Sequence, residues 1–339
     1  MITSSLPSEV LKHQNITLFH TPYWREIWAK TLKCKSYYIF QGSLDQYACV
    51  PVYYYEQGIF TPKKLITHEE PLYTNINCLK QAINEVIQLA NKLNCKYVKI
   101  KIKSFESSKN LPLTPRDVAP LKIKIAPNLN SVIPLSTNIE ENWKRLDKGS
   151  ARWAVKKAER MNVRIKYCES KDDVVEFYKI VSETRHRLGL PMFPFRLFEL
   201  IRQRLIPNNA SLLLADYNGK IIAGVILFFY KDRAVFGFEG YRKDYSHLQP
   251  VHYLLWKCIE DATKRRMRVL DLGETPRFHE GLLRFKRHFG ALHYPIYMLV
   301  YGDSHERPFF KSLGRRIWRM LPLILHERLS PLVVSRVVA

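Results

Sequence analysis

The sequence predicts an α+β protein built from two domains of similar design. Its 339 residues are more than one ordinary core needs, and they suit two domains of common size. Apolar residues make up 46% of the chain, which is enough to fill both cores. One order of elements, antiparallel strands followed by a helix and a closing strand, occurs twice. That order is typical of α+β proteins with mostly antiparallel sheets rather than of doubly wound ones.

Strand and turn signals define the first copy. Alternating or Val- and Tyr-rich segments bounded by polar turns predict strands, and apolar residues at helical spacing predict the helix. The predicted elements are strands at 37–40, 47–55 and 59–60, a helix at 79–93 and a strand at 97–102.

The second copy repeats this order. Asn218 and Gly219 form a typical two-residue hairpin turn between its first two strands. The predicted elements are strands at 212–215, 221–230 and 234–238, a helix at 251–263 and a strand at 268–272.

Part of the two copies aligns without a gap. Residues 48–55 lie over residues 223–230, at a separation of about 175 residues, and a polar break with an aromatic strand follows each. A repeat this long indicates duplicated domains rather than a solenoid; two unrelated hairpins are the alternative. The predicted division is a first domain at 1–138, a linking basic helix at 139–166, a second domain at 167–310 and a basic and apolar tail at 311–339.

Charge indicates the kind of partner. With 54 Lys and Arg against 31 Asp and Glu, the formal net charge is +23. A charge of this size attracts polyanions such as nucleic acid, an anionic membrane surface or a phosphorylated substrate, and by itself it does not choose among them.

Cysteine usage and hydropathy indicate the compartment. The six cysteines form no CxxC pair and fit no zinc-binding spacing, so we expect buried thiols in a reducing compartment and no metal site. We expect no signal peptide, and the longest apolar runs are about half the length of a membrane span. The sequence therefore predicts a cytosolic protein, with contact to the inner face of the membrane as an open alternative.

The predicted linking helix carries a row of basic residues. Residues at every fourth position of a helix turn by only about 40° per step, so they form one slowly spiralling ridge. The members of this row are Lys144, Lys148, Arg152, Lys156 and Arg160. A ridge that binds phosphate, with Lys148, Arg152 and Lys156 at its centre, and a solvated basic face are both compatible with the pattern.

Two arginines follow in a segment that ends in a Gly/Pro turn. The guanidinium of Arg185 or Arg187 could bind a carboxylate or phosphate of the substrate through two hydrogen bonds. The alternative is that both charges complement the dipole of the helix that ends there.

A third group of candidates follows the closing strand of the second copy. Asp271 and Glu274 stand at the end of that strand, where a carboxylate can orient an amine or accept its proton. Lys286 follows beside Phe285, and a lysine can stabilise the oxyanion of acyl transfer. The chain has no Ser-His-Asp constellation, no GxSxG elbow and no phosphate-binding GxxxxGK[ST] loop.

From Lys148 to the end of the second copy, the sequence resembles the FemAB/FemX-like transferases of the GNAT superfamily. The first copy is similar only in overall pattern, from Thr21 onward. The stretches that carry the resemblance are residues 152–163, 184–189, 249–256, 271–273, 285–286 and 289–290.

The resemblance implies two GNAT-like domains in tandem that transfer an acyl or aminoacyl group to an amine, using acyl-CoA or aminoacyl-tRNA as co-substrate without a tightly bound cofactor. It implies an active-site Phe-Lys pair at Phe285 and Lys286, and it gives Arg187 a role in holding the acceptor. Tyr241 and Trp256, in and beside the matching stretches, complete the candidates for substrate binding.

The resemblance departs from acetyl-CoA-dependent members at residues 241–250. Their glycine-rich loop, whose backbone N–H groups meet the pyrophosphate, is replaced here by a passage without glycine that ends in Pro250. The donor is therefore left open.

The leading hypothesis is a cytosolic transferase that acts on a phosphorylated or lipid-linked precursor of the cell envelope, peptidoglycan or an envelope polysaccharide. A tRNA-binding protein on a degenerate GNAT scaffold and a structural envelope protein are the alternatives. The tail at 311–339 predicts either a helix docked on the second domain or a segment that lies on an anionic bilayer.

Overall fold

The chain folds into two units, each with its own set of strands and its own apolar core. The computed structural model describes residues 2–43, 45–56, 63–103, 113–302 and 313–338. The first unit comprises Met1–Leu129, Tyr294–Arg307 and Val333–Ala339, and the second comprises Asn130–His293 and Pro308–Leu332.

The elements up to the crossing into the second unit are mainly strands. In chain order they are β1 (Ile2–Thr3), α1 (Pro22–Leu32), β2 (Lys35–Ser43), β3 (Gln46–Tyr55), β4 (Lys64–Ile66), β5 (Leu72–Tyr73), α2 (Ile76–Lys92), β6 (Tyr97–Lys103) and β7 (Lys122–Pro134).

The remaining elements include all the helices of the second unit. In chain order they are α3 (Ile139–Arg145), α4 (Trp153–Arg160), β8 (Arg164–Tyr167), α5 (Lys171–Leu188), α6 (Phe195–Leu205), β9 (Ala210–Tyr217), β10 (Lys220–Tyr230), β11 (Arg233–Tyr241), α7 (Pro250–Lys264), β12 (Val269–Pro276), α8 (Glu280–His288), β13 (Leu292–Tyr301), α9 (Leu313–Met320) and α10 (Leu323–Val338).

The sheet of the first unit is built around the β2–β3 hairpin. Its strand order is β1, β2, β3, β4, β6, β13, with β4 and β6 parallel and the other pairs antiparallel. Gly42 lies near the end of β2, where it pairs with Tyr47, and its φ of +95° suits glycine. Helix α2 begins at the cap Asn75, whose side chain accepts from two backbone N–H groups, and it buries Ile83 and Val86 on this sheet.

The sheet of the second unit is centred on β10, which is apolar on both faces. Its strand order is β12, β11, β10, β9, β8, with only the β11–β12 pair parallel. The β9–β10 turn has positive φ at Asn218 and Gly219, as predicted for this dipeptide. Residues of α7 such as Leu255 pack with β10 in one core, and Phe177 of α5 lies close to Gly224.

The α+β fold class is confirmed. Each unit has an antiparallel hairpin, a third strand, a helix and a closing strand parallel to the third, which is the repeated order seen in the sequence. The predicted strand at 59–60 lies outside the described residues, and the third strand of the first unit is β4, Lys64–Ile66.

The residues that make up each unit differ from the predicted domain bounds. Residues 294–301 of β13, which we assigned to the second domain, pair with β6 in the first unit, where Ile296 and Leu299 are fully buried. The segment 139–166 belongs to the second unit instead of linking the two, because Leu146, Val155 and related side chains join its core. Long-range pairing of this kind leaves no local signal in the sequence.

The predicted linking helix at 139–166 is not one continuous helix. It is interrupted at Leu146 and Asp147, both with extended backbone, and it restarts with a π-helical turn at Lys148–Arg152. Asp147 caps this turn by accepting from the N–H of Ser150 at 2.7 Å, while Leu146 is buried. Because the register changes at the break, Lys144 does not continue the row of basic residues from Lys148 onward.

All six cysteines are free thiols, and Cys49, Cys95 and Cys258 are buried. Among the helices in the described part of the chain, none is long and apolar enough to cross a bilayer.

Candidate active site

Lys286 is the most constrained of the predicted site residues. It lies on α8, with Leu283 and Lys286 on the buried side of the helix. Only 7% of Lys286 is exposed, and its ammonium donates to the carbonyl of Leu272 at 2.6 Å and to that of Gly273 at 3.1 Å. Since an ammonium has three N–H donors, one donor remains for a reacting group.

Three carboxylates surround this ammonium. Burial lowers the pKa of Lys286, and the charges of Glu239, Asp271 and Glu274 oppose that effect. Asp271 is buried and accepts from the N–H of Gly273 at 2.7 Å, which fixes the turn whose carbonyl holds Lys286. The structure therefore brings together Lys286, Asp271 and Glu274, as the sequence predicted, and adds Glu239.

The sequence analysis missed Glu239 of β11. Its side chain is exposed, yet desolvation by the surrounding protein raises the pKa of its carboxyl, and only the charge of Lys286 opposes this. A carboxylate that reaches solvent and is still partly desolvated lies in a recess. Its raised pKa makes it a better proton acceptor than an ordinary surface glutamate.

Glu239 lies in a β-bulge of β11. Gly224 pairs with Gly240 and Ile226 pairs with Gly237, so Val225 alone faces both Phe238 and Glu239. Phe238 takes a φ of +52°, which is uncommon for an aromatic residue, and packs against aromatic rings. Glycines within a strand are a sequence signal for such a bulge, and Gly237 and Gly240 flank this one.

The parallel pair β11–β12 opens next to these residues. Both strands lie wholly within the described residues, and their pairing runs only from Arg233 with Val269 to Val235 with Asp271. Beyond that point β11 continues to Tyr241 and β12 to Pro276 without further pairs between the two strands. The β11–β12 pairing therefore ends at Asp271, between the strand of Glu239 and the strand that holds Lys286.

Phe285 and Trp256 pack inside the unit. Phe285 is half-buried, with its ring edge-on to His252 at 4.9 Å, and burial lowers the pKa of His252 to about 4. Trp256 is 5% exposed and contacts Trp143 edge-on at 4.8 Å. The inner face of α7 thus places Trp256, predicted to bind substrate, in the core. Phe285 helps to seat α8 on α7.

Arg187 and Tyr241 lie together at the end of α5. The guanidinium of Arg187 lies over the Tyr241 ring at 4.5 Å and donates to the Tyr241 carbonyl at 3.5 Å. Thr184 joins them, since its hydroxyl accepts from the Tyr241 N–H at 3.0 Å. Both predicted residues are half-buried, so each retains surface for a ligand.

Arg185 does not fit the role of a substrate-binding residue. Its Nε donates to the Pro191 carbonyl at 2.7 Å, and its guanidinium lies over Phe193 at 4.6 Å. Burial lowers its pKa to about 10. The guanidinium therefore stabilises the turn after α5, because helix α5 directs it inward while it leaves Arg187 nearer the surface.

The three central basic residues have different roles. Lys148 and Lys156 are exposed, whereas Arg152 donates to the carbonyls of Leu146 and Lys144, both at 2.9 Å, and so closes the end of α3. Two guanidinium nitrogens of Arg152, predicted to bind phosphate, are thus used in backbone contacts. The turn that carries Lys148 is held to the end of α8, where the His288 ring bonds the Ser150 hydroxyl at 2.8 Å.

The passage without glycine forms a 3₁₀ helix at Lys243–Leu248. The N–H groups of Tyr245 and Gln249 are used within it, by the carbonyls of Arg242 and Ser246, both at 3.1 Å. Pro250 opens α7 without an N–H, and no side chain caps this helix end. Few amides are left for a pyrophosphate here, so the passage suits the usual mode of CoA binding poorly.

Residues 148–287 match the model of the acetyltransferase (GNAT) domain family. The chain is similar in fold to the crystal structure of FemX, with 13% identity, a TM-score of 0.69 and coverage of 91% of this chain and 97% of that one. A search of curated proteins finds no match.

Two further solved structures share the fold. One is L-PGS from Bacillus licheniformis, with 12% identity, a TM-score of 0.56 and coverage of 93% of this chain and 96% of that one. The other is the C-terminal domain of a putative lysylphosphatidylglycerol synthetase from Agrobacterium fabrum, with 15% identity, a TM-score of 0.54 and coverage of 83% and 88%. The match to the GNAT model and the FemX fold confirm the resemblance to FemAB/FemX-like transferases of the GNAT superfamily.

Proposed function

We propose that this FemX-like GNAT protein transfers an acyl or aminoacyl group to an amine on a phosphorylated or lipid-linked precursor of the cell envelope. The observation that carries the proposal is the buried Lys286 ammonium, held by two carbonyls of β12, with the charge of Glu239 acting on it. An acid-base pair beside the opening between β11 and β12 supplies what aminolysis of an ester or thioester requires.

Glu239 is the proposed general base. It takes a proton from the neutral acceptor amine while the nitrogen adds to the carbonyl carbon of the donor. The remaining donor of Lys286 stabilises the oxyanion that forms. When the intermediate collapses, the C–S or C–O bond to the donor breaks, and the thiolate or alkoxide leaving group takes up the proton that Glu239 had accepted.

Asp271 and Glu274 have supporting roles in this scheme. Asp271 positions Lys286, since it fixes the turn at Gly273. Glu274 is half-buried and follows on the same strand, where its carboxylate can orient the acceptor amine as the sequence analysis proposed.

The family match, the loop before α7 and the exposed basic residues bear on the choice of donor and acceptor. The GNAT domain implies acyl-CoA as the co-substrate. The passage at Lys243–Leu248 without glycine favours the other donor that the FemAB/FemX resemblance implies, aminoacyl-tRNA. Exposed Lys148 and Lys156, together with Arg187, are the proposed contacts to phosphate of the donor or acceptor.

A thermal-shift measurement separates the donors. A ligand that binds only the folded protein at about a hundred times its Kd adds roughly 2.7 kcal/mol, which raises the Tm measurably. An acyl-CoA that raises the Tm identifies an acyl-CoA transferase; aminoacyl-tRNA that raises it where uncharged tRNA does not identifies an aminoacyl transferase. If neither raises it, the proposed donors are wrong.

Replacing Lys286 tests the site itself. With the donor so identified, we expect Lys286→Met to lower kcat by roughly 100-fold to 1,000-fold, as loss of one oxyanion donor does elsewhere. Arg284→Met, at an exposed position of the same helix, is the matched control and should keep full activity. Circular dichroism checks that the Met variant remains folded; a folded variant with undiminished kcat would rule out the role of Lys286.

The alternative of a tRNA-binding protein without transferase activity is favoured by one observation, the excess positive charge with Lys148 and Lys156 exposed. Binding of tRNA without turnover of any charged form would support it.

A further inference from the structure

Helix α10 buries polar residues and exposes large apolar ones. It buries His326, Ser330 and Val334 completely, whereas it exposes Ile324 and Leu332 at 67% and 68%. A helix of a water-soluble surface normally turns its apolar stripe to the core. The exposed apolar side chains of α10 therefore indicate that another surface binds there.

Polar contacts fix this orientation. The His326 ring bonds the Leu190 carbonyl at 2.9 Å, and the Ser330 hydroxyl accepts from the N–H of Met192 at 2.8 Å. The ring of His186 on α5 bonds the Leu321 carbonyl at 2.8 Å, between α9 and α10. Rotating α10 to bury its apolar side would break these buried hydrogen bonds, each costly to leave unmade.

The apolar surface extends over both C-terminal helices. Met320 at the end of α9 is 77% exposed. We call the set of large apolar residues exposed on α9 and α10 the C-terminal apolar face. It consists of Ile317, Met320, Leu323, Ile324, Leu325, Leu329 and Leu332.

The charges around this face have one sign. Arg315, Arg316, Arg319 and Arg328 are all exposed, whereas the sole acidic residue between 313 and 332, Glu327, is half-buried. On a helical wheel Glu327 lies between Ser330 and Ile324, about 60° from each, and about 140° from Leu332. A surface that complements the face is therefore apolar inside and anionic at its rim, which is how a bilayer with anionic headgroups is layered.

We infer that the C-terminal apolar face binds the surface of an anionic lipid bilayer, with α9 and α10 lying in the plane of the membrane. The aliphatic side chains enter the boundary between headgroups and acyl chains, and the arginines meet the lipid phosphates. Each basic residue near such a surface contributes about 1 kcal/mol, and the net charge of +23 adds long-range attraction. The inference does not rest on the proposed transfer reaction, because vesicle binding needs neither donor nor acceptor.

Vesicle sedimentation of the full chain tests the inference. We expect binding to phosphatidylcholine vesicles that contain about a third phosphatidylglycerol, and at least about tenfold weaker binding to phosphatidylcholine alone. Ile324→Glu should weaken binding to the anionic vesicles at least about tenfold, because it places a charge at the buried boundary and repels the lipid phosphates.

Ile125→Glu is the matched control. Ile125 is 62% exposed on β7, so the same substitution changes charge and exposed apolar area equally at another site, and it should leave vesicle binding almost unchanged. Both positions are exposed, so neither variant should lose more than a little in Tm. The double variant Arg316→Gln/Arg319→Gln should weaken binding to anionic vesicles only.

Three outcomes would overturn the inference. The first is equal binding to neutral and anionic vesicles, and the second is equal loss in Ile324→Glu and Ile125→Glu. The third is that the native chain does not bind vesicles but forms a concentration-dependent dimer, which Ile324→Glu converts to a monomer. The C-terminal apolar face would then be covered by a second copy.

Discussion

Glu239 and Lys286 each affect the pKa of the other. Desolvation raises the pKa of Glu239 and lowers that of Lys286, so burial alone pushes both groups toward the neutral form. Each charge opposes that tendency in the other. The result is a carboxylate that holds a proton more readily than usual beside an ammonium that releases one more readily.

The pH dependence of turnover follows from Glu239. A general base works only when deprotonated, so kcat should fall as pH drops through the pKa of Glu239, and because that pKa is raised, the fall should begin above the range of an ordinary glutamate. Glu239→Gln should remove this limb and lower kcat by about 100-fold to 10,000-fold. Rate profiles against pH measure both effects.

Glu280→Gln is the control for this prediction. Glu280 is exposed at the start of α8, so its loss should leave the acidic limb in place. A Glu239→Gln enzyme with the same limb as the native protein would assign the base to another group.

At the scale of elements, irregularities position the site. The bulge in β11 includes Glu239, and the β11–β12 pairing ends at Asp271, on the strand whose carbonyls hold Lys286. The break at Leu146 and Asp147 lets Arg152 close α3 and leaves Lys148 and Lys156 exposed. Regular continuation of any of these elements would separate or bury the groups concerned.

Gly240 is the residue that lets β11 lie against α5 at the bulge. A Cβ there would stand 2.9 Å from the backbone N and Cα of Val181, and backbone cannot move aside cheaply. We expect Gly240→Ala to lower the free energy of unfolding by about 1–3 kcal/mol and to reduce activity by shifting Glu239. Thermal or denaturant unfolding gives the first number.

Gly281→Ala provides the comparison. Nothing lies within 4 Å of a Cβ at Gly281, in the first turn of α8, and Ala favours helix over Gly by up to about 1 kcal/mol. This variant should be as stable as the native protein or more so. If the two alanine variants were equally stable, the close approach of β11 and α5 would not require glycine.

For the whole molecule, charge is the dominant feature. A net charge of +23 attracts polyanions at any exposed basic surface, so affinity for tRNA should fall by more than about tenfold as salt rises from roughly 50 to 200 mM. Filter binding or fluorescence anisotropy over that salt range measures the slope.

Attraction of tRNA by Lys148 and Lys156 can be distinguished from attraction by the net charge of the whole chain. If Lys148 and Lys156 contact phosphate, Lys148→Gln/Lys156→Gln should reduce the salt slope, whereas Lys30→Gln/Lys92→Gln, two partly or fully exposed sites of the first unit, should lower affinity only slightly. Equal effects of the two double variants would mean that the net charge alone attracts tRNA.

Periodicity and turn chemistry in the sequence by themselves determined the fold class and most strands. Asn218-Gly219 predicts its hairpin because only a few residues accept positive φ, and the helix at 250–264 follows from its apolar spacing. The same local reasoning brought Asp271, Glu274 and Lys286 to one place, since all three follow one strand and the helix after it.

Only the tertiary structure decided the rest. Glu239 is distant in sequence from Lys286 and meets it through a bulge and a parallel strand pair, which no local pattern reports. The side chains of three predicted residues could bind a substrate, but packing gives them other partners. Trp256 lies in the core, and the guanidinium groups of Arg185 and Arg152 donate to backbone carbonyls. Sequence shows which chemistry a residue can offer, whereas burial and competing partners decide whether that chemistry remains available to a substrate.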